Sequence, residues 1–406
     1  MCRRAGFRTG APPGAWATMV GMNQSTRREF LVTASAASIA TAIAPEFAAG
    51  SAPQARIAKR QRVFVGSLSK ENGILAYDWD PATAVLTQAG VAAQTPLVAW
   101  LAFSHGHEYM YSASELWEFE GKLTGEVASY RVVNGELQVL SARNSAGKGT
   151  CHVAVDPTGQ MLIAADYAGG SAASFRIENG HLSEAVWTAH YTDHGPDLAR
   201  QKTAHAHFSS FSPDNRFAYI NDLGGDRIHI YKTHPATAQL MPAGVYRGGP
   251  GWGPRTLHFH PNGHTAYCMY EIVSRVDVLE WHKADGGLTR VTTIDLLPAS
   301  YHGPTRGCDT VISSDGLFVY FANRDDNFLY AFQCDWKTGT LTPMRRSSCG
   351  GKTPRNFVLD PTGHWMLVAN QDSNLLSVFA RNPETGELAD EGRSYPAEKP
   401  MRILFA

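Results

Sequence analysis

The segment Leu359-Asp-Pro-Thr-Gly363, which runs into Trp365-Met-Leu-Val-Ala369, is the clearest copy of a pattern that recurs along this chain. Each copy has an apolar residue, a short polar stretch with Asp, Asn or Thr, a Gly or its substitute, and then an apolar run. Periods of about 50 residues are typical of propellers and solenoids. The copies recur every 46 to 56 residues, beginning at Phe103, Val155, Phe211, Phe259, Ile312, Leu359 and Phe405.

Within each copy the sequence predicts short strands joined by turns. The Asp/Asn-Gly positions predict tight hairpin turns, and the following apolar run, such as Phe217-Ala-Tyr-Ile220, predicts a strand. A polar loop, an alternating strand such as Leu375-Leu-Ser-Val-Phe379 and a turn such as Thr385-Gly-Glu-Leu388 come next. This order predicts four antiparallel strands per ~50 residues, which is the blade of a β-propeller. Helical periodicity is nowhere sustained, so the predicted fold class is all-β.

The two ends of the repeat region are each incomplete. Val63-Phe-Val-Gly66, Gly73-Ile-Leu-Ala-Tyr77 and Ala84-Val-Leu-Thr87 predict a second, a third and an outer strand with no inner strand before them. Met401-Arg-Ile-Leu-Phe405 predicts an inner strand with nothing after it. We therefore expect the N- and C-terminal strands to pair in one blade, which closes the ring and leaves no open sheet edge. The prediction is a single seven-bladed β-propeller over residues 61–406.

The composition excludes several classes of protein. The 406 residues are 43% hydrophobic and 10% aromatic, which is ample for a core and argues against intrinsic disorder. With 36 Lys and Arg against 37 Asp and Glu, the chain lacks the net positive field of a nucleic-acid binder. The six cysteines follow neither a disulfide framework nor a CxxC metal knuckle, so we expect buried free thiols. We expect no metal site and no cofactor.

Residues 1–50 are interpreted as an upstream extension followed by an export signal. Thr26-Arg-Arg-Glu-Phe-Leu31 resembles a twin-arginine motif, and a mild apolar stretch follows it. That stretch is too short and too weakly apolar for a spanning helix, which needs ~20 strongly apolar residues. The resemblance implies transport by the twin-arginine export machinery to a periplasmic or secreted location, with no membrane span after signal removal. The alternative is an uncleaved tail with a chance arginine pair.

The repeat also predicts which residues share one rim of the propeller. Because neighbouring strands are antiparallel, the inner strand of each blade starts at the rim where the second strand ends. The inner strands are expected to begin at Ala99, Cys151, His207, Arg255, Cys308, Arg355 and Met401. The loops after the second strands are expected to add Glu115, Asp166, Asp222, Glu271, Arg324 and Gln371. His, Arg and Glu side chains should therefore converge on one mouth, where ligands commonly bind.

Several motifs resemble those of one known family. They are Gly253-Pro-Arg255, Phe259-His-Pro-Asn-Gly263, Gly350-Gly-Lys-Thr-Pro-Arg-Asn-Phe357 and Val368-Ala-Asn-Gln-Asp-Ser373. The motifs are similar to those of the seven-bladed lactonase family, which includes propeller-type 6-phosphogluconolactonases and fungal carboxy-cis,cis-muconate cyclases. The resemblance covers essentially all of residues 61–406. It implies a carboxylic ester hydrolase that opens lactones, or a cyclase that forms them.

Lactone hydrolysis needs a base to activate water, cationic groups for the oxyanion and an acid for the departing alkoxide. We assign His207 as the base, Glu271 as the group that orients it or carries the proton, and Arg255 as the oxyanion or carboxylate clamp. Three further residues are predicted to bind substrate: His205, Arg324 and Arg355. The alternatives are structural histidines and an Arg255–Glu271 ion pair that only locks a loop.

The expected function is that of an exported, 6-phosphogluconolactonase-like lactonase. Because 6-phosphogluconolactone is a cytoplasmic metabolite, we expect the substrate of an exported enzyme to be an unphosphorylated sugar or organic-acid lactone. The sequence contains no Gly-x-Ser-x-Gly elbow, which argues against a serine nucleophile. The alternatives are a lactone-forming cyclase and a non-catalytic propeller that binds a ligand or partner. We expect a monomer whose partner is a small lactone or carboxylate.

Overall fold

The computed structural model of the protein describes residues 60–406, and the predicted export signal lies outside these residues. The described chain forms 28 β-strands in seven four-stranded antiparallel sheets, with two single-turn 3-10 helices as its only helical segments. The seven-bladed, all-β propeller predicted from the sequence is therefore confirmed. None of the described helices has the length and apolar character needed to cross a membrane.

The first four blades follow one another along the chain. Blade 1 takes from the N-terminal side β1 (Gln61–Ser67), β2 (Ile74–Asp80) and β3 (Val85–Ala93). Blade 2 consists of β4 (Val98–Phe103), β5 (Tyr109–Ser114), β6 (Glu126–Val133) and β7 (Glu136–Asn144). Blade 3 consists of β8 (Thr150–Val155), β9 (Met161–Asp166), β10 (Ser171–Glu178) and β11 (His181–His190). Blade 4 consists of β12 (Ala206–Phe211), β13 (Phe217–Asp222), β14 (Arg227–His234) and β15 (Gln239–Arg247).

The last three blades repeat the same order, and the final strand returns to blade 1. Blade 5 consists of β16 (Pro254–Phe259), β17 (Thr265–Tyr270), β18 (Arg275–Trp281) and β19 (Leu288–Asp295). Blade 6 consists of β20 (Gly307–Ile312), β21 (Phe318–Asn323), β22 (Phe328–Cys334) and β23 (Leu341–Ser348). Blade 7 consists of β24 (Pro354–Leu359), β25 (Trp365–Asn370), β26 (Leu375–Ala380) and β27 (Arg393–Pro396). The remaining strand is β28 (Pro400–Phe405).

The ring closes between the two ends of the described chain. Strand β28 pairs antiparallel with β1, so that Val63 lies opposite Phe405 and Val65 lies opposite Ile403. The C-terminal strand is thus the inner strand of blade 1, as the incomplete ends of the repeat predicted. This pairing covers an edge of β1 that would otherwise carry unpaired backbone groups.

The recurring Asp-Pro-Thr-Gly turn is held by its own aspartate. Oδ1 of Asp156 accepts hydrogen bonds from the backbone N–H groups of Gln160 at 2.8 Å and Met161 at 2.7 Å. Gly159 has a φ of 71°, a conformation that residues with a side chain rarely adopt. The carboxylate thereby satisfies backbone donors that the turn leaves free, which gives the repeated motif a physical reason.

The core lies between the blades, and the second strands are its most buried elements. All six residues are buried in each of β9, β13, β17 and β21. The third residue of β13, β17 and β21 is a tyrosine whose hydroxyl donates to a glycine carbonyl in the outer hairpin of the next blade. The pairs are Tyr219 to Gly286 at 2.8 Å, Tyr267 to Gly339 at 2.8 Å and Tyr320 to Gly386 at 2.7 Å.

Candidate active site

The mouth of the central channel is built in the same way in blades 2 to 7. In each blade, the residue that follows the second strand donates its backbone N–H to a carbonyl at the start of the inner strand, at 2.8 to 3.0 Å. The acceptor is the residue two positions before the predicted rim residue of that inner strand. This bond fixes where the loop side chain starts relative to the channel. The residues placed in this way are Glu115, Tyr167, Leu223, Glu271, Arg324 and Gln371.

In blades 3 and 4 this position is one residue later than the predicted Asp166 and Asp222, which are both fully buried. Asp166 accepts hydrogen bonds from the hydroxyl groups of Thr150 at 2.8 Å and Ser171 at 3.0 Å. Asp222 accepts the backbone N–H of His205 at 2.8 Å. These two carboxylates therefore hold the loops in place, and Tyr167 rather than Asp166 reaches the mouth.

A cavity of about 300 Å³ opens at this mouth, a size at the lower end for small-molecule sites. Its lining consists of Glu115, Trp117, Gly149, Cys151, Tyr167, Ala168, Arg200, His207, Glu271, Arg324 and Arg355. Four of the six predicted site residues are in this lining: His207, Glu271, Arg324 and Arg355. Arg255 lies in the narrow channel below, whose lining it shares with His207 and Arg355.

The carboxylate of Glu271 lies at the centre of a cluster of arginines. Its Oε2 lies 3.0 Å from Nε of Arg255 and 2.6 Å from Nη2 of Arg324, and its Oε1 is bonded to Arg200. Only 4% of the Glu271 side chain is exposed. Burial by itself raises the pKa of a carboxyl, but the charges of Arg324 and Arg255 hold the pKa of Glu271 well below its usual range. Glu271 is therefore an ionised carboxylate shared by three guanidinium groups.

His207 lies beside this cluster as a neutral imidazole. Its Nε2 is 3.9 Å from Oε2 of Glu271, and its Nδ1 has no hydrogen-bond partner among residues 60–406. Burial and the charge of Arg255 hold the pKa of His207 well below its usual range, despite the opposing charge of Glu271. A neutral imidazole with an unpartnered ring nitrogen can accept a proton from water or substrate.

Arg355 differs from the other arginines of the site. Among residues 60–406 no carboxylate forms an ion pair with its guanidinium group, and, as in Arg324, its buried Nε–H has no acceptor. Because buried donors normally find a partner, an unsatisfied guanidinium at a cavity wall is available to a ligand anion.

His205 lies beside the cavity rather than in its lining. Its ring stacks on that of Tyr167 with centroids 4.4 Å apart, and its Nδ1 lies 2.9 Å from the backbone oxygen of Tyr167. Strand β12 begins at Ala206, and its register shifts between Ala206 and Phe208. In a regular strand His205 and His207 would share one face, but His205 lies outside the strand. His205 therefore contacts the site through Tyr167.

Three polar or aromatic residues of the cavity lining were absent from the sequence-based assignment: Arg200, Tyr167 and Trp117. Arg200 comes from the segment between β11 and β12, in the longest interval between two copies of the repeat, 56 residues from Val155 to Phe211. The extra length of that interval could have predicted an inserted loop. Trp117 follows Glu115 by two residues and is 66% exposed at the mouth.

The five cysteines of the described chain are buried and unpaired, as predicted, and Cys151 alone lines the cavity. Its thiol donates toward the backbone oxygen of His207 at 3.3 Å, and burial raises its pKa well above the usual value. A thiol acts as a nucleophile only when ionised, so Cys151 is a poor nucleophile. The cavity instead offers an imidazole base and several guanidinium groups, which suit the addition of water to a carbonyl group.

Comparison with known proteins relates the whole propeller to one family. The family model described as lactonase, 7-bladed beta-propeller, matches residues 62–405. The chain is 31% identical over 304 residues to 6-phosphogluconolactonase of Bacillus subtilis, which covers 74% of this chain and 85% of the relative. It is 29% identical to 6-phosphogluconolactonase of Formosa agariphila, with 75% of this chain and 88% of the relative covered.

Solved structures show the same similarity. The periplasmic gluconolactonase of Pseudomonas aeruginosa is 28% identical and superposes with a TM-score of 0.79. The superposition covers 86% of this chain and 99% of that structure. The similarity thus extends over all seven blades and includes the mouth that carries the cavity.

Proposed function

Because this chain belongs to the seven-bladed β-propeller lactonase family, we propose that it opens a sugar or organic-acid lactone by adding water to the ring carbonyl. Lactonase is the class of enzyme predicted from the sequence, and membership of the family confirms that class. One observation supports the reaction: His207 and the guanidinium groups of Arg255 and Arg324 all lie beside the carboxylate of Glu271, at the cavity and in the channel directly below it.

In this proposal His207 is the base that takes a proton from the attacking water. Arg324, at the cavity wall, and Arg255, directly below it, stabilise the negative charge that develops on the carbonyl oxygen. Glu271 holds these two arginines and orients His207. We assign it no proton-carrying role, because a carboxylate bonded to three guanidinium groups is a very weak base.

Arg355 is proposed to bind an anionic or polar substituent of the substrate, since it has no ion pair among residues 60–406. The exposed indole of Trp117 offers an aromatic face at the mouth, as ligand-binding surfaces often do. His205 is a positioning residue in this proposal, because it acts by stacking on Tyr167. The names of the relatives, 6-phosphogluconolactonase and gluconolactonase, favour a sugar lactone.

We further propose that the protein acts in the periplasm. Two observations support this location: the resemblance of residues 26–31 to a twin-arginine motif and the similarity to a periplasmic gluconolactonase. A periplasmic enzyme would meet unphosphorylated sugar lactones rather than a cytoplasmic phosphorylated one.

The test is hydrolysis of a lactone panel by the wild-type protein and by two site variants. The panel contains D-glucono-1,5-lactone, its 6-phosphate and an unsaturated γ-lactone carboxylate, with and without a chelator. We expect His207→Ala and Arg255→Ala to lower kcat by ~100-fold or more, because each removes a group used in the transition state. His181→Ala, at an exposed strand position, is the matched control and should keep wild-type activity.

Full activity of both site variants would contradict the assigned roles. Absence of turnover for every lactone, combined with saturable binding of one of them, would indicate a ligand-binding propeller instead. Loss of activity with the chelator would indicate a metal-dependent lactonase.

A further inference from the structure

A second carboxyl group faces the cavity from the side opposite Glu271. Glu115 follows β5 of blade 2 as Glu271 follows β17 of blade 5, and both backbone N–H groups make the same rim bond, to Leu97 at 2.9 Å and to Gly253 at 2.8 Å. Both side chains line the cavity. Since the two residues are three blades apart in a ring of seven, their side chains approach the cavity from opposite walls.

The surroundings of the two carboxyl groups differ sharply. Glu271 forms ion pairs with Arg200, Arg255 and Arg324, whereas Glu115 has no ion pair and no side-chain hydrogen bond among residues 60–406. Glu115 is half-buried, and its carboxyl group lines the cavity without a protein partner among residues 60–406, so it is free to contact a bound substrate.

The protonation of Glu115 follows from this isolation. Burial raises its pKa above the usual value, although the charges of Arg355, Arg255 and Arg324 oppose the rise. Arg255 and Arg324 are already paired with Glu271, and this pairing weakens the effect of their charges on the pKa of Glu115. Two carboxyl groups whose surroundings push their pKa values apart are the usual arrangement for distinct roles in proton transfer.

We propose that Glu115 is a catalytic residue, the proton donor to the ring oxygen that leaves when the lactone opens. This inference rests on the proposed lactonase function and completes it. In that mechanism His207 supplies the base, and Glu115 supplies the acid that the departing alkoxide needs. Departure of an alkoxide from a tetrahedral intermediate needs a proton at the leaving oxygen.

The proposed reaction has two chemical steps, the addition of water to the carbonyl carbon and the opening of the ring. Water forms a bond to the carbonyl carbon and gives one proton to His207, which leaves a tetrahedral oxyanion facing Arg324. The oxyanion re-forms the carbonyl double bond, the bond between carbon and ring oxygen breaks, and the ring oxygen keeps that electron pair and takes the proton of Glu115. Proton exchange with solvent then restores neutral His207 and protonated Glu115, and the hydroxy acid leaves.

The other proton-bearing side chains of the cavity fit this role less well. Burial and the charge of Glu271 raise the pKa of the Tyr167 hydroxyl, so it gives up a proton less readily than an unperturbed phenol. The Cys151 thiol is directed at the backbone oxygen of His207 at 3.3 Å, and its pKa is raised well above the usual value. Glu271 is held ionised by its arginines.

The test compares Glu115→Gln with wild type on two lactones that differ in their leaving group. D-Glucono-1,5-lactone, or the aliphatic lactone that the panel selects, releases an alkoxide, and dihydrocoumarin releases a phenoxide that needs no acid because a phenol has a pKa of about 10. We expect Glu115→Gln to lower kcat by ~100-fold on the aliphatic lactone. On dihydrocoumarin we expect a loss of less than ~10-fold, because only the acid-dependent part of the rate is removed.

The pH profile on the aliphatic lactone alone gives an independent readout. Wild type and Glu115→Asp should lose activity on the basic side of the optimum, where the acid is deprotonated, and Glu115→Gln should lack that limb. Tyr167→Phe should keep it. Melting temperatures of the variants separate a catalytic loss from misfolding.

Two results would overturn the assignment while leaving the lactonase proposal intact. One is a Glu115→Gln variant within ~3-fold of wild type on the aliphatic lactone, far less than loss of an acid predicts. The other is an equal loss on both lactones with the basic limb retained. If the wild-type protein opens no lactone at all, the proposed function fails and this inference fails with it.

Discussion

At the scale of single residues, Glu115 and Glu271 show how position in the repeat and chemical surroundings are separate properties. Both follow the second strand of their blade and both line the cavity. One is bonded to three arginines that come from the loop before β12, from β16 and from the loop after β21. The other faces the cavity without a partner among residues 60–406. Equivalent backbone geometry thus places two carboxyl groups in very different surroundings.

The same substitution should therefore change stability by very different amounts at the two positions. Glu271→Gln leaves the buried side chains of Arg255 and Arg324 without their counter-charge, and we expect it to lower the free energy of unfolding by ~3 kcal/mol or more. Glu115→Gln breaks no ion pair among residues 60–406 and should change it by less than ~0.5 kcal/mol. Urea unfolding of both variants checks this pair. Equal destabilisation would contradict the arginine cluster described for Glu271.

At the scale of elements, the same contact recurs at several blade boundaries: the second strand of one blade bonds to the outer hairpin of the next. The hydroxyl groups of Tyr219, Tyr267 and Tyr320 each donate to a glycine carbonyl across the blade boundary. The glycines come from the outer hairpins, one of them within the predicted Thr-Gly-x-Leu turn around Gly386 and another in the corresponding turn around Gly339. A turn that reads as a local signal therefore also supplies an acceptor to its neighbour.

Tyr267→Phe should weaken the boundary between blades 5 and 6. The buried carbonyl of Gly339 loses its donor, so we expect the free energy of unfolding to fall by ~1–2 kcal/mol, measured as a shift of the urea midpoint. Tyr301→Phe is the matched control, because among residues 60–406 the Tyr301 hydroxyl bonds only to the backbone oxygen of Pro304, in its own surface loop. No difference between the two variants would show that the inter-blade bond contributes nothing.

At the scale of the whole molecule, polar groups link four blades around the central channel. Asp309 of blade 6 accepts a hydrogen bond from Nδ2 of Asn356 in blade 7 at 2.8 Å and lies 3.2 Å from Nε2 of His258 in blade 5. Nη1 of Arg402, from the closing strand β28, lies 4.0 Å from Oδ2 of Asp309, which is the oxygen that Asn356 contacts. Burial alone raises a carboxyl pKa, but the hydrogen bond and charge of His258 and the charge of Arg402 hold the pKa of Asp309 well below its usual range.

This arrangement predicts a loss of stability in acid. The pKa of Asp309 is depressed in the folded state relative to ~3.9 in the unfolded chain. Its contribution is therefore fully present above the unfolded pKa and is lost as the pH falls below ~4 toward the folded value. The stability advantage of wild type over Asp309→Asn should shrink over that window in urea unfolding. The exposed control Glu391→Gln, whose carboxylate has no ion pair among residues 60–406, should show no such trend. An advantage that stays constant down to pH 2.5 would contradict the prediction.

The fold was predictable because its signals are local. The turn held by Asp156 and Gly159 is encoded within five residues, and its recurrence gave both the number of blades and the incomplete blade that β28 completes. The position of His205 outside the cavity lining was not predictable in this way, because it depends on where β12 begins, at Ala206, and on the register shift between Ala206 and Phe208. Arg200 was missed because its segment belongs to no copy of the repeat.

The sequence by itself determined the seven blades and the closure of the ring, because the turns that mark each blade are local and the incomplete blade at each end needs the other to be completed. Only the tertiary structure decided which of the predicted rim residues meet. The bonds of Glu271 to Arg200 and Arg324, the neutral state of His207 and the isolation of Glu115 depend on distances between blades that are far apart in the chain. Burial and charge act through space, so they appear only when the ring has closed.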